Sequence, residues 1–463
     1  MNNSIKPTTH DRPSLKVIFR RASYLALALA LVVFASCNNN DDGDAPIEPK
    51  TLEGNSYLSN QAAVDDFVNE NITRITGNLT IGPGLTPGDT DDPITDLSGL
   101  INLTQVDGDL SIVRNESLSD LTGLDGLTEV GGSLYINQNE GLISAYGLNQ
   151  LIKINGNLEI RVNPVLTNLQ ALDGLRGIRN FELSHNQALE RVFDMSNEQE
   201  LNQVSIDNNF SLISLTGLTR TNIRELSIAS NESLINLKGL ESVTDLNSFT
   251  LVYNQNLSSV EGLDNLRSVT NFIHIEFNDA LENLDGMNTL ESGPYNIRIN
   301  KNPVLTSIDR FRLSEAPNPE DNWVFIQNNP ELTDVNPLKG MTEMNGINLS
   351  NNKIANLSAL SDLTKASYIQ LSAMGALKTL EGLENLSEVQ TLFVGGNAQL
   401  ESLDGLSGLV DMPALMTITD NALLNDFCSI SPLADQVAPD AQIDISFNAY
   451  NPSLEDLRNG NCN

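Results

Sequence analysis

Histidine, tryptophan, cysteine and positive charge are all scarce in this chain of 463 residues: three His, one Trp, three Cys, and 26 Lys or Arg against 60 Asp or Glu. The net charge of −34 excludes a phosphate-binding footprint, and with it nucleic acid and anionic lipid headgroups as partners. Too few cysteines and histidines exist for a zinc or iron–sulfur framework. No uninterrupted apolar run is long enough to span a bilayer, because the longest, Tyr24 to Phe34, has 11 residues where about 20 are needed.

That run follows Lys16, Arg20 and Arg21 and ends at Phe34-Ala35-Ser36-Cys37, the charge and length pattern of a secretory signal peptide. Its end resembles the lipobox of bacterial lipoproteins, although Phe34 stands where an aliphatic residue is usual. The resemblance implies lipidation of Cys37, which becomes the first mature residue. Removing residues 1–36 takes away five basic and one acidic residue and leaves 21 against 59, or −38. Next comes Asn38-Asn39-Asn40-Asp41-Asp42-Gly43-Asp44, a polar stretch with nothing to pack, so residues 37–55 read as an acidic flexible tether. An acidic run directly after the lipidated cysteine resembles the export signal of surface lipoproteins in the Bacteroidota. An ordinary linker on a periplasm-facing lipoprotein is the alternative. Cys428 and Cys462 remain, and in an oxidising compartment this even remainder reads as one disulfide.

What the chain has in abundance is one phrase, apolar-x-apolar-x-x-Asn-x-x-Leu. It begins at Leu79, Leu110, Leu134, Leu158, Phe181, Val204, Leu226, Phe249, Ile273, Ile297, Val324, Ile347, Ile369, Leu392, Met416 and Ile443. From Leu110 onward the steps are 22 to 24 residues, with two of 27. Sixteen copies of one unit predict a mainly β, single-domain solenoid in which the first and third apolar positions point inward from a short strand. A second phrase, as in Leu121-Thr122-Gly123-Leu124 and Leu403-Asp404-Gly405-Leu406, supplies a compact return path, with glycine suited to a positive φ.

The Asn of the phrase recurs at Asn115, Asn139, Asn163, Asn186, Asn209, Asn231, Asn254, Asn278, Asn302, Asn329, Asn352, Asn397, Asn421 and Asn448; Gly84 and Met374 are the exceptions. Asn231-Glu232-Ser233 also has the form of a glycosylation acceptor. An amide that donates and accepts at the same point in every unit instead predicts a buried ladder satisfying backbone groups at the strand exits.

These phrases and their period resemble leucine-rich repeats and, more closely, the receptor L-domain type of right-handed β-helix. The chain is similar to the repeat-bearing surface lipoproteins of the Bacteroidota over residues 75–463. Asn448-Ala449-Tyr450-Asn451-Pro452 and Asn459-Gly460-Asn461-Cys462 resemble the closing segment of such proteins. Residues 56–78 are expected to form an N-terminal helical cap, with a helix over Ser59 to Ile75 covering the first strand's open edge. The solenoid is then expected over 79–427, and a disulfide-closed cap with the last rung over 428–463. At about 4.8 Å per rung, sixteen rungs make a rod on the order of 75 Å long.

Catalysis has no obvious seat. His185 and His274 fall four rungs apart, about 19 Å, too far to share a metal or a proton relay. No Ser–His or Cys–His pair is apparent, so the chain is expected to be non-enzymatic, without cofactor or dedicated metal site. Asp89-Thr90-Asp91-Asp92 offers calcium ligands but lacks the ordered spacing of a dedicated loop, and reads as a solvated turn.

Outward strand positions carry more information. They are mainly small or polar early on, as at Ser111, Glu159, Glu182, Ser205 and Ser227. From the Phe249 unit onward they become large: Phe272, His274, Arg298, Trp323, Phe325, Tyr368 and Phe393. Exposed aromatics beside an Arg have the composition of interface hot spots and sugar-stacking platforms. The alternative is that loops such as Arg312 to Asn322 fold back over these rings and make a local satellite core.

The sequence therefore predicts a lipid-anchored, surface-exposed outer-membrane protein that recognises a protein or glycan through its sheet face and touches the membrane only through its lipid. An acidic adhesion or structural rod that works through divalent ions is the second reading, and a polysaccharide-acting enzyme a third. A palmitate analogue fed to expressing cells should label the full-length chain and leave Cys37→Ala unlabelled; equal labelling of both would remove the lipid anchor.

Overall fold

The computed structural model describes residues 48–84, 92–198, 200–288, 290–310, 312–316 and 318–463. The signal segment, Cys37 and Asp89 to Asp91 lie outside the described residues. The described residues form a parallel β-solenoid. Among the described residues, seventeen parallel strands, from Ser56–Leu58 to Gln442–Ser446, make one continuous sheet. Each strand pairs with the equivalent strand one repeat earlier and one later, in register: Leu226 lies beside Val204 on one side and Phe249 on the other.

The alternation of the phrase accounts for the burial pattern. Leu226 and Ile228 are buried and Ser227 between them is not, because successive side chains on a strand point to opposite faces. The Leu three residues after most ladder Asn forms a second interior column through Leu118, Leu142, Leu166, Leu189, Leu212 and Leu234, all buried. Each such Leu contributes roughly 1.5–3 kcal/mol by leaving water.

A return path closes each turn. In several turns it begins with a glycine at positive φ, such as Gly123 at 114°, where a Cβ would sit 2.0 Å from the Leu97 carbonyl oxygen of the previous turn. Only glycine tolerates both that conformation and that approach. In the first turns a second sheet of five short strands runs alongside: Lys50–Leu52, Ile72–Ile75, Gln105–Val106, Glu129–Val130 and Lys153–Ile154. From Glu200–Asp207 onward the two segments fuse in many turns into strands of eight or nine residues.

The N-terminal end differs from the sequence expectation. The sheet starts one rung earlier than Leu79, because Ser56–Leu58 pairs with Leu79–Ile81. Lys50–Leu52 is a strand paired with Ile72–Ile75, inside the stretch expected to be a tether. The helix covers only Gln61–Asn69, capped by the Asn60 side chain on the Ala63 amide. Two residues past its end, Asn71 with a φ of 47° turns the chain into the strand that buries Ile72 and Ile75. The helix buries Val64 and Phe67 and lies over the return path: a Cβ on Gly99 would meet the Val64 carbonyl oxygen at 2.0 Å. It thus covers the return side of the first turn, while the short strand Ser56–Leu58 is the sheet edge, a length that limits edge pairing. Asp92 holds the helix start by accepting from the Ala62 amide.

At the other end, Cys428 and Cys462 are joined, enclosing 34 residues of sequence separation. On the chain-entropy picture such a loop contributes about 4 kcal/mol. The helix Leu454–Arg458, started by a reciprocal Ser453–Asp456 capping box, buries Leu457 beside the 3₁₀ segment Cys428–Asp435, and the Ser431 hydroxyl donates to the Leu457 carbonyl.

The asparagines form the expected ladder, with more bonds per member than a turn alone requires. The Asn231 amide nitrogen donates to Ile206 O of the previous strand at 2.8 Å and to Ala229 O of its own strand at 2.9 Å. Its Oδ1 accepts from the Asn209 backbone N–H and side-chain amide at 3.2 and 3.3 Å, while its own backbone N–H donates to Asn254 Oδ1 at 3.1 Å. Asn231 is fully buried, so the residue that looked like a sugar acceptor presents no surface to a modifying enzyme. At Met374 the side-chain bonds lapse, yet the Met374 backbone N–H still donates to Asn397 Oδ1. The first member, Asn115, has a buried Oδ1 without a partner, since no Asn precedes it.

Asn231→Ala orphans several buried backbone groups at once and should lower unfolding free energy by about 2–3 kcal/mol. A urea midpoint equal to that of the wild type would contradict the ladder's structural role.

Candidate functional site

Strand register decides which outward side chains meet. One row across the sheet reads Phe272, Asn296, Trp323, Gly346, Tyr368, Thr391. The row two residues further along each strand reads His274, Arg298, Phe325, Asn348, Gln370, Phe393. All seven large outward residues picked out in the sequence therefore share one face over six consecutive strands, Ser268–Glu276 to Glu388–Gly395. The early half of the face is not uniformly small: Tyr135 stands between Ser111 and Glu159 in the second row.

Trp323 and Phe325 stack on one strand, with rings parallel to within 1° and centroids 5.4 Å apart. Gly346 makes room for this. A Cβ there would lie 2.2 Å from the indole ring, so the missing side chain on the next strand is the space the Trp occupies. Tyr368, one strand beyond, is tilted toward the indole at 6.5 Å. Phe272, His274, Asn296, Arg298, Trp323 and Phe325 border a depression of about 410 Å³.

The rings are neither a sealed core nor fully free. Phe272 is exposed, while Trp323, Phe325, Tyr368 and Phe393 are half-buried. The 312–322 loop is tied down beside the strand that carries Trp323 and Phe325. Asn322 clamps that loop at the strand entrance by accepting from the Ala316 amide and donating to Tyr295 O and Ser314 O. Leu313 and Thr342 tie it to the neighbouring turn through Pro337 O and the Glu315 carboxylate. None of its described residues lines the depression.

Polar groups beside the rings are bound to one another. Glu276, its side chain 10% exposed, receives Arg298 Nε at 3.1 Å and a bond from Asn300, and its Oε2 lies 2.7 Å from His274 Nε2. Burial pushes the Glu276 carboxyl upward, but the bonds from His274, Arg298 and Asn300 together outweigh it and hold the group below the ordinary value of 4.5. Asn348 and Gln370 of the second row, with Ser372 and Ser350 two residues further on, close a ring of side-chain hydrogen bonds on the same face, and the Tyr368 hydroxyl donates into it at Gln370. Burial raises the Tyr368 phenol. These networks hold the face in one arrangement before any ligand arrives, which lowers the ordering cost of binding.

One cluster escapes the sequence reading. Tyr253, Phe277 and Lys301, each just before a ladder Asn, form a column at the strand exits: the two rings stack at 4.4 Å and the Lys301 ammonium sits 4.2 Å over the Phe277 ring. Their φ values are 58°, 57° and 53°. The only available signal was aromatic residues at the position before Asn in consecutive repeats, a position that the apolar alternation does not mark.

His185 lies on the same exit ridge, with Nδ1 3.8 Å from the Asp207 carboxylate and no approach to His274. Among the described residues, no group of three or more His, Cys, Asp or Glu is placed to hold a metal ion. In the early half of the face, Glu182 is raised by burial, against Arg161 and with help from Glu159 and Asp207.

No family profile matches the chain, and no curated protein does. Among solved structures it is similar to a leucine-rich repeat protein from Bacteroides eggerthii, at 15% identity over 83% of this chain and 74% of that one, with a TM-score of 0.35. The leucine-rich-repeat-like solenoid is established here by the strand register and the ladder themselves.

Because Glu276 is depressed in the folded state, its contacts stabilise the fold fully above pH 4.5 and are lost as pH falls through that value toward the folded one. The stability difference between wild type and Glu276→Gln should therefore shrink on acidification through this window. Chemical denaturation along a pH series measures it, and a difference independent of acid pH would contradict the assignment.

Proposed function

We propose that this protein is a non-catalytic, lipid-anchored surface receptor of the receptor L-domain type, which recognises a macromolecular ligand through the C-terminal half of its sheet face. The observation that carries the reading is the half-exposed cluster of Trp323, Phe325, Tyr368 and Phe272 beside Arg298, on a face with prearranged polar groups. Concentrated aromatics on a rigid extended support suit recognition, since large flat side chains contribute contact area at small entropic cost. The lipid on Cys37 and the acidic run that follows it support placement at the outer membrane, facing outward.

Trp323→Ala and Phe325→Ala should each reduce binding of the ectodomain, residues 38–463, to whole cells or to an array of glycans. Each should cost stability only about 1 kcal/mol or less, as expected for a side chain packed on a glycine and one ring. A large fall in melting temperature with unchanged binding would show that the rings serve packing.

A further inference from the structure

We infer that the ligand of this face is an uncharged polysaccharide of β-linked pyranose units, lying along the stack of rungs across the strands. The inference rests on the binding role proposed above and adds the chemical class and the direction of the ligand.

Three observations lead to it. The first is periodicity: along one row, aromatic residues occupy alternate rungs at Phe272, Trp323 and Tyr368, and smaller residues fill the rungs between, at Asn296, Gly346 and Thr391. Alternate rungs lie about 9.6 Å apart. That matches the disaccharide repeat of an extended β-linked pyranose chain, in which every second ring presents the same apolar face. The alternation is also what lets each ring spread, as Trp323 does over Gly346.

The second observation is composition. The two outward rows from the strand Ser268–Glu276 to the strand Glu388–Gly395 contain no carboxylate and no aliphatic side chain, only rings, amides, Thr, Gly, His274 and Arg298. Rings for C–H faces and amides that both donate and accept suit a polyhydroxylated chain.

The third observation concerns charge. Arg298 Nε is paired with the Glu276 carboxylate, which offsets the one guanidinium charge in these two rows, and the chain as a whole repels an anionic sugar.

The distance from Phe272 to Tyr368 is four rungs, about 19 Å, enough for about four sugar units. Calorimetric titration of residues 38–463 with cello-, xylo- and chito-oligosaccharides of two to six units tests this, with α-linked malto-oligosaccharides as the comparison. At least one β-linked series should bind, with affinity rising about tenfold or more from dimer to tetramer and then levelling, and the α-linked series should bind weakly or not at all. Trp323→Ala should weaken binding about tenfold or more, the scale of a hot-spot residue. Gly346→Ala should do the same while keeping every ring, because it displaces the indole. Both variants should shift the melting temperature by no more than a few degrees. Silence across all β-linked series, or equal affinity for dimer and hexamer, overturns the proposal. If the sugars fail while Trp323→Ala still abolishes binding to cells, the glycan is wrong and the face binds a protein. If Trp323→Ala changes neither, the binding role of the face falls as well.

Discussion

Everything in this molecule depends on how a strand ends. Each turn must leave the sheet sharply enough to begin its return path, and it does so by placing the residue before the ladder Asn in the left-handed region. Fourteen non-glycine residues, from Arg114 to Phe447, occupy that conformation with φ between 50° and 59°. For an L-residue this costs about 1–2 kcal/mol. The Asn that follows offsets the cost by binding the carbonyls the turn exposes and by passing its own oxygen to the previous rung. No other side chain offers two donors and an acceptor at that reach, and because each member bonds to the next, the geometry of one turn sets that of its neighbour.

With the interior so committed, the chain varies where the ladder makes no demand. The residue before Asn is strained whatever its identity, so it is free to be Val162, Ser230, Tyr253 or Lys301. Outward strand positions are equally free. The rings of the C-terminal half exploit this: they are supported by a floor of apolar columns and by amide networks that do not move when the surface residue changes. Trp323 illustrates the economy, since its packing partner is the absence of a side chain at Gly346.

Much of the fold could be read directly. The apolar alternation, the Asn and the Leu three places on are favoured in most turns by the same local geometry, so they repeat visibly, and the Cys428–Cys462 bridge follows from an even count. The first rung was hidden because Ser56–Leu58 carries no Asn five residues on and a helix replaces its return path. Of the site, the outward large residues were legible one by one. The column of Tyr253, Phe277 and Lys301 was not, because nothing in the phrase distinguishes a left-handed residue whose identity is unconstrained.

The sequence by itself determined the repeating unit, its inward residues and the acidic, histidine-poor surface, since each is a local requirement repeated down the chain. Only the tertiary structure decided which outward residues become neighbours. Residues one repeat apart, 22 to 27 positions in sequence, meet through strand register, and where an insertion such as 312–322 is placed depends on the clamp made by Asn322. Register is set by the summed burial of every inward side chain in both strands, so it belongs to no single stretch of sequence. That long-range choice turns seven scattered residues into one face.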